Sequence, residues 1–166
     1  MIKRATLDDF ADFFKIKSES DNLYWCGYKN KPDRNNLWMF WNKYVPYSPE
    51  RTIYSIFIDR RWVGYIYVDY KFENGIGISI AVSSTISGQG IATSTLCELV
   101  SELRKSEDSD LIAYIREDNI RSQRVFAKVG FENTGTFHIK QLETEEKETR
   151  FFKWVYLGEK NAKGNW

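Results

Sequence analysis

The chain has 166 residues, 42% of them hydrophobic and 28% charged, a balance typical of one globular domain with a substantial core. Its formal net charge of +1 argues against a nucleic-acid or membrane partner, and no run approaches the roughly 20 apolar residues of a membrane-spanning helix. Two cysteines and an early acidic turn in the sequence favour a reduced, cytoplasmic protein without a signal peptide. We expect a single domain over residues 1–166, with 158–166 as a loose tail.

The first half of the chain changes from helical to strand-like spacing. After a short opening strand, Thr6 and Asp9 predict a helix start, and Asp33 predicts a second helix within "DRNNLWMFWNKY". The segments "TIYSIFI" and "WVGYIYVDY" are rich in β-branched and aromatic residues and predict two strands. Asn74-Gly75 predicts a two-residue hairpin turn into a third strand.

That next strand, "IGISIAV", leads into a glycine turn and a helix. One of its faces carries only small residues, Gly77, Ser79 and Ala81, which leaves room for something to lie against it. The backbone N–H groups of the following Gly88-Gln89-Gly90 turn and of the helix start are suited to binding an anion. Taken alone, a Gly-x-Gly stretch more often marks a plain turn than a phosphate site.

The second half of the chain predicts a helix after Gly90, the short strand "LIAYIR", and a helix from Asp118 or Asn119 to Gly130. Two strands, "FENTGTFHIKQLE" and "TRFFKWVYL", follow. Hairpins thus alternate with helix crossovers, which predicts an α/β protein of the α+β type with a mixed sheet. The pattern argues against a dinucleotide-binding fold, which needs repeated βαβ units.

Two motifs together resemble the GNAT superfamily of acyl-CoA-dependent N-acyltransferases. The loop "SGQGIA" is similar to the family's Arg/Gln-x-x-Gly-x-Gly/Ala loop, which cradles the CoA pyrophosphate. The segment "NIRSQRVFAKVGF" is similar to the family segment along the pantetheine arm. The resemblance implies a single GNAT-like domain with a six- or seven-stranded mixed sheet and about four helices. The sheet would splay between its fourth and fifth strands, "IGISIAV" and "LIAYIR".

The same resemblance implies acetyl-CoA as co-substrate, no metal, and direct attack of an amine on the thioester. It implies a set of CoA-binding residues: Ala81, Val82, Ser87, Gly88, Gln89, Gly90, Ile91, Ala92, Thr93, Asn119, Ser122, Phe126 and Lys128.

Three positions depart from the commonest family pattern. Ser87 stands where Arg or Gln is usual, Gly77 where many relatives have a glutamate base, and Phe126 where a tyrosine often protonates the CoA thiolate. Backbone N–H groups should still bind the phosphates. The base must come from another residue, or a water chain must suffice if the acceptor is an aminosugar with a lower amine pKa.

The candidate replacements lie on or near the central strands. Asp69 and Glu73 are candidate bases, acting directly or through water, because an alkylamine with a pKa of about 10 is mostly protonated at neutral pH. Tyr114 and Tyr156 are candidate acids. His138, the single histidine, has no evident partner in the sequence, and a structural role is expected for it.

The acceptor site is expected in a Gly-Asn-Pro loop that carries Tyr24, Trp25 and Tyr28. Aromatic faces there would stack on a sugar or nucleobase, which favours an amino group on a sugar or nucleotide-sugar. A small-molecule or peptide amine remains open as acceptor, and polyamines are least favoured because the loop has no acidic cluster. The alternative from another class is a CoA-binding regulatory domain that has lost catalysis. The resemblance is compatible with a monomer or a homodimer.

Overall fold

The computed structural model describes residues 1–106 and 108–158, so residues 159–166 of the expected tail lie outside the described residues. In chain order the elements are β1 (Ile2–Arg4), α1 (Phe10–Lys17), α2 (Ser20–Cys26), α3 (Arg34–Tyr44), β2 (Arg51–Ile58), β3 (Arg61–Phe72), β4 (Gly75–Val82), α4 (Ile91–Ser106), β5 (Asp110–Arg116), α5 (Ile120–Val129), β6 (Phe131–Lys140) and β7 (Thr149–Tyr156). None of the helices described is long and apolar enough to cross a membrane.

The sheet has seven strands in the order β1-β2-β3-β4-β5-β7-β6. Only β4 and β5 run parallel, and the other neighbouring strands in the described chain are antiparallel. The predicted mixed sheet is therefore confirmed. The last strand, β7, inserts between β5 and β6, which leaves β6 at the edge of the sheet.

A short helix that the sequence did not predict follows the first one, so five α-helices rather than about four are present in the described chain. The Ser18 hydroxyl donates to the Phe14 carbonyl at 2.7 Å, and α1 ends at this point. A new helix, α2, then begins at Ser20. The expectation that Tyr24 and Trp25 lie in a loop was wrong, because both belong to α2.

The sheet splays between β4 and β5, as predicted. These strands pair only over Gly75–Gly77 and Asp110–Ile112. Beyond that point β4 continues to pair with β3 up to Val82, and β5 continues to pair with β7 up to Arg116. The facing edges of both strands thus carry backbone N–H and C=O groups that no neighbouring strand satisfies.

Helices cover both faces of the sheet. The core on the α4 and α5 face includes Ile78 of β4 and Ala113 of β5. The core on the opposite face is rich in aromatic rings and includes Phe13, Trp41 and Tyr65. Ala81 packs against that second core, so the small-residue face of β4 is turned toward α1 and α3.

The hairpin between β3 and β4 differs from the prediction. Phe72 pairs with Gly75, so the two turn residues are Glu73 and Asn74, with Glu73 at φ +51°. A register shift before the turn brings the Phe72 ring onto Gly77, where an added Cβ would lie 2.7 Å from a ring carbon. The space beside Gly77 is therefore filled by Phe72 and is not open to a ligand, contrary to the expectation for the small-residue face.

Candidate active site

A cavity of about 490 Å³ lies between the end of β4, the start of α4 and one side of α5. We call it the splay cavity. The predicted CoA residues line it with the exception of Gln89 and Phe126. Phe126 is only 3% exposed, and its ring packs edge-on against Phe131. Phe126 lies on the apolar side of α5 and points into the core, so its side chain does not face the splay cavity.

The glycine loop has the backbone of an anion site. Gly88 and Gly90 adopt φ +84° and +79°, a left-handed conformation that glycine adopts at little cost. A Cβ added at either position would meet no protein atom within 4 Å, so both glycines serve the backbone conformation rather than close packing. α4 begins directly afterwards at Ile91, and the first N–H groups of a helix have no partner within it.

The side chain of Ser87 is too short to place a positive charge at the glycine loop, but Arg121 on α5 lies beside it. Arg121 Nη1 donates to the Ser87 hydroxyl at 2.6 Å, which brings the guanidinium to the glycine loop. Arg124 and Lys128 also line the splay cavity, and spacings of three and four residues put them on the same side of the helix. Of these three cations, Lys128 was predicted from the sequence, whereas Arg121 and Arg124 were missed although the helical spacing of the basic residues was visible.

Asn119 caps α5. Its side-chain oxygen accepts from the Ser122 N–H at 3.1 Å, so the capping contact uses the oxygen and leaves the amide –NH₂ group as a donor for a ligand. The sequence-based role for Asn119 stays a prediction that this geometry allows.

Residues of α2 and of the preceding turn hold the end of β4 in place. Glu19 accepts from the Ser83 hydroxyl at 2.7 Å and from the Ser84 N–H at 2.8 Å. Asn22 contacts the Val82 carbonyl at 3.4 Å. These links reach across 60 residues of sequence or more, and no local pattern indicated them.

Arg116, at the end of β5, fixes α2 against the sheet. Its side chain is 2% exposed, and it donates to the carboxylates of Asp118 and Glu145 and to the Tyr24 carbonyl. The guanidinium also lies 4.9 Å from the Tyr24 ring centre and 5.2 Å from that of Trp25. Hydrogen bonds from Arg116 lower the pKa of Asp118. Trp25 lines the splay cavity, so this network orients one wall of the site.

Two of the predicted catalytic residues, Glu73 and Tyr114, are in contact. The Tyr114 hydroxyl donates to Glu73 at 2.5 Å, and Lys153 donates to the other carboxylate oxygen at 2.6 Å. These bonds lower the pKa of Glu73, whereas the bond to Glu73 raises the pKa of Tyr114 to about 12. The His138 ring lies 4.4 Å from that of Tyr114. Desolvation lowers the pKa of His138.

These pKa shifts limit what the cluster can do. A tyrosine whose pKa is about 12 is a poor proton donor to a thiolate whose conjugate thiol has a pKa of about 8.5, so the geometry argues against Tyr114 as an acid. Glu73 is ionised at neutral pH and can accept one more hydrogen bond at each oxygen. Because the pKa of Glu73 is low, its carboxylate is suited to accepting a hydrogen bond and to stabilising a positive charge, and poorly suited to removing a proton.

The other candidates have structural partners. Both carboxylate oxygens of Asp69 accept from Arg51, whose guanidinium lies 4.6 Å from the Tyr67 ring centre. This ion pair leaves Asp69 poorly placed to accept a substrate proton. Tyr156 is partly buried and packs edge-on against Phe131 at the margin of the core.

A second cavity of about 580 Å³ opens between α1, α2, α3 and β3; we call it the helical cavity. Tyr28, one of the predicted acceptor residues, lines it, together with Lys17 and Tyr65. Asn22 lines both cavities, and Tyr65 pairs with Ala81 on the splayed part of β4. The two cavities are therefore neighbours on either side of α2. In residues 1–106 and 108–158, no group of three His, Cys, Asp or Glu side chains is arranged to hold a metal ion.

Known proteins match this architecture. Among solved structures, the ribosomal-protein-alanine N-acetyltransferase from Brucella melitensis has a TM-score of 0.75 at 21% identity, covering 93% of this chain and 98% of that one. The spermidine N-acetyltransferase from Vibrio cholerae, in complex with CoA and spermine, has a TM-score of 0.81 at 8% identity, covering 95% of each chain. AAC(6')-Ib in complex with paromomycin and acetyl-CoA has a TM-score of 0.76 at 18% identity, covering 94% and 92%.

At sequence identities of 8–21%, these structural similarities show a shared fold and no more. No curated protein sequence matches the chain significantly. The family itself is shown by a family model, described as "Acetyltransferase (GNAT) domain", that matches residues 1–132. The chain therefore belongs to the GNAT acetyltransferase family.

Proposed function

We propose that this protein is an N-acetyltransferase that binds acetyl-CoA in the splay cavity and acetylates a primary amine. The observation that carries the proposal is one cavity that joins the open edge of β4, the glycine loop and the cationic side of α5. An extended ligand with amides at one end and phosphates at the other fits this order of chemical groups. AAC(6')-Ib, which shares the fold, holds acetyl-CoA.

Each part of the cavity has a defined task in this proposal. The unpaired backbone groups of β4 from Ile78 to Val82 would bond the pantetheine amides, and the Asn119 amide would add a further donor. The N–H groups of the loop from Gly88 to Gly90, with Arg121 beside them, would hold the pyrophosphate. Acetyl-CoA would supply the activated acyl group as its thioester.

Glu73 lines neither cavity, so the role we give it is electrostatic. Its ionised carboxylate would stabilise the positive charge that develops on the amine nitrogen during attack. Tyr114 and Lys153 position the carboxylate. The proton itself passes to solvent, because the lowered pKa of Glu73 opposes its retention.

For the acceptor we propose an amino group on a sugar or nucleotide-sugar. The support is the aromatic character of the two neighbouring walls, with Trp25 on the splay cavity and Tyr28 on the helical cavity. Proteins of the same fold differ widely in acceptor: their names specify a ribosomal-protein alanine, spermidine and aminoglycosides. A protein or peptide amine is the second candidate.

A thiol-release assay tests the proposal. The protein is incubated with acetyl-CoA and a panel of aminosugars, nucleotide-aminosugars, peptides and polyamines, and acetyl-CoA binding is measured separately by thermal shift. Acetyl transfer predicts both a thermal shift and amine-dependent thiol release. A shift without release for any amine would indicate a CoA-binding regulatory domain. No shift at all would refute the assignment of the splay cavity to CoA.

A further inference from the structure

The helical cavity contains an ammonium group that lacks a carboxylate partner within the described residues. Lys17 lines this cavity, and its Nζ lies 5.9, 5.6 and 5.8 Å from the ring centres of Phe13, Tyr65 and Tyr67. Its one hydrogen bond within the described chain is a long contact of 3.4 Å to the Tyr65 hydroxyl. Burial lowers the pKa of Lys17, as expected for an ammonium whose lost hydration is only partly replaced by ring faces.

The other charges of the cavity do not neutralise Lys17. The charged residues among those that line it are Lys17, Lys31 and Glu143. Glu143 accepts from the backbone N–H of Lys29 at 3.1 Å and forms no ion pair within the described residues. Cations therefore outnumber anions around a space of about 580 Å³, which is within the size range of small-molecule sites.

This charge pattern suits some acceptors and opposes others. A polycation such as spermidine or an aminoglycoside would place further ammonium groups beside Lys17, where like charges in a partly desolvated site repel each other. A carboxylate or phosphate would supply the missing counter-charge and a charge-assisted hydrogen bond. Asn22 and Asn36, which also line the cavity, offer neutral polar groups for the rest of such a ligand.

The position of the cavity ties it to acetyl transfer. Tyr65 lies opposite Ala81, and Tyr67 lies opposite Ser79, both on the part of β4 that has separated from β5. A ligand in the helical cavity is therefore next to the open edge assigned to the pantetheine arm.

We propose that the helical cavity binds the acceptor, and that the acceptor carries an anionic group, carboxylate or phosphate, which pairs with Lys17. This inference rests on the proposed function for its chemistry but concerns a separate set of residues. It favours phosphorylated aminosugars, nucleotide-aminosugars and amino acids over polycationic amines.

Matched pairs of amines test the inference by binding, without any thioester present. Glucosamine 6-phosphate is compared with glucosamine, and tyrosine with tyramine; spermidine serves as the polycation. Thermal shift and calorimetry are measured on the full chain and on Lys17→Met, which keeps the length of the side chain without its charge. Lys15→Met is the control, because Lys15 is exposed on the same helix and does not line the cavity.

We expect at least one anion-bearing amine to bind more tightly than its neutral partner, and Lys17→Met to weaken that binding by about 10-fold or more. Lys15→Met should leave both affinities unchanged. The two pairs separate phosphate from carboxylate as the recognised group. The inference is overturned if no anion-bearing amine binds, if spermidine or the neutral amines bind as well, or if Lys17→Met retains the preference.

Two further comparisons distinguish anion binding by Lys17 from a structural role and from the chemistry of the splay cavity. A purely structural role of Lys17 in the aromatic cluster would lower the melting temperature of Lys17→Met without changing the ratio of affinities within a pair, and would overturn the inference. Failure of acetyl-CoA to bind would refute the proposed function and leave the amine-binding result intact. Conversely, acetyl transfer to neutral amines alone would refute the anionic acceptor and leave the enzyme assignment standing.

Discussion

Replacing Arg121 with alanine should weaken acetyl-CoA binding, because this guanidinium takes the place of a longer side chain at Ser87. The distance of 2.6 Å between Arg121 Nη1 and the Ser87 hydroxyl puts the charge within reach of any anion on the glycine loop. A charge-assisted hydrogen bond contributes about 1.5–3 kcal/mol, and an exposed ion pair about 0–1 kcal/mol. Arg121 is exposed but borders a cavity, so we expect about 1–2 kcal/mol, or about 5- to 30-fold in Kd.

Isothermal titration of CoA into wild type and Arg121→Ala measures this loss directly. The effect should shrink as salt is raised, since the contact is exposed to screening. Ser87→Arg in the Arg121→Ala background restores a cation to the loop and should recover much of the affinity. Lys105→Ala, an exposed cation at the far end of α4, is the matched control. An unchanged Kd in Arg121→Ala, or an equal loss of affinity in Arg121→Ala and Lys105→Ala, would refute a role for Arg121 at the phosphates.

Three further perturbations test other parts of the structure. Glu73→Gln should lower kcat by about 10-fold or more with little change in the KM for acetyl-CoA. Because hydrogen bonds from Lys153 and Tyr114 hold the pKa of Glu73 below 4.5, an acid limb from this group in the wild-type rate should have its midpoint below pH 4.5. Gly130→Ala should cost about 2 kcal/mol or more of stability, because φ is +112° and a backbone carbonyl oxygen would lie 2.3 Å from the added Cβ. Gly135→Ala, where φ is +80° and the space is open, should cost about 1 kcal/mol. Equal melting temperatures of the two variants would contradict this expectation. Arg116→Met should lower the melting temperature at pH 7. Since Arg116 depresses the pKa of Asp118, the wild type should lose this stabilisation as the pH falls below about 4, and the variant should show a smaller loss over that range.

The fold was predictable because its main signals are local. The glycine turn after β4, the cap at Asn119 and the glycine end of α5 each act over a few residues, and all three are present. Asp33 likewise caps α3 by accepting from the Asn36 N–H at 2.8 Å. The splay between β4 and β5 was predicted from the resemblance of two of these motifs to the GNAT family, and the strand pairing confirms it.

The errors have tertiary causes. The turn of the β3–β4 hairpin is shifted because Phe72 packs on Gly77, an interaction that outweighs the local preference of Asn-Gly. Gly77 marks a close packing contact rather than open space for a ligand.

The site was only partly predictable, since its electrostatics depend on long-range contacts. Arg121 reaches Ser87 across 34 residues, and Tyr114 reaches Glu73 across 41. Lys17 in the sequence looks like a solvated residue at a helix end. Its aromatic surroundings come largely from β3, 48 residues later at Tyr65, and no periodicity reveals such an environment.

The position of α2 between the two cavities has a thermodynamic consequence. Asn22 borders both cavities and contacts the last carbonyl of β4, while Arg116 holds the same helix from the other side. A ligand that shifts α2 on binding in one cavity therefore changes the affinity of the other. By linkage the two affinities must change by the same factor. Coupling between the binding of the two substrates would thus pass through a single seven-residue helix.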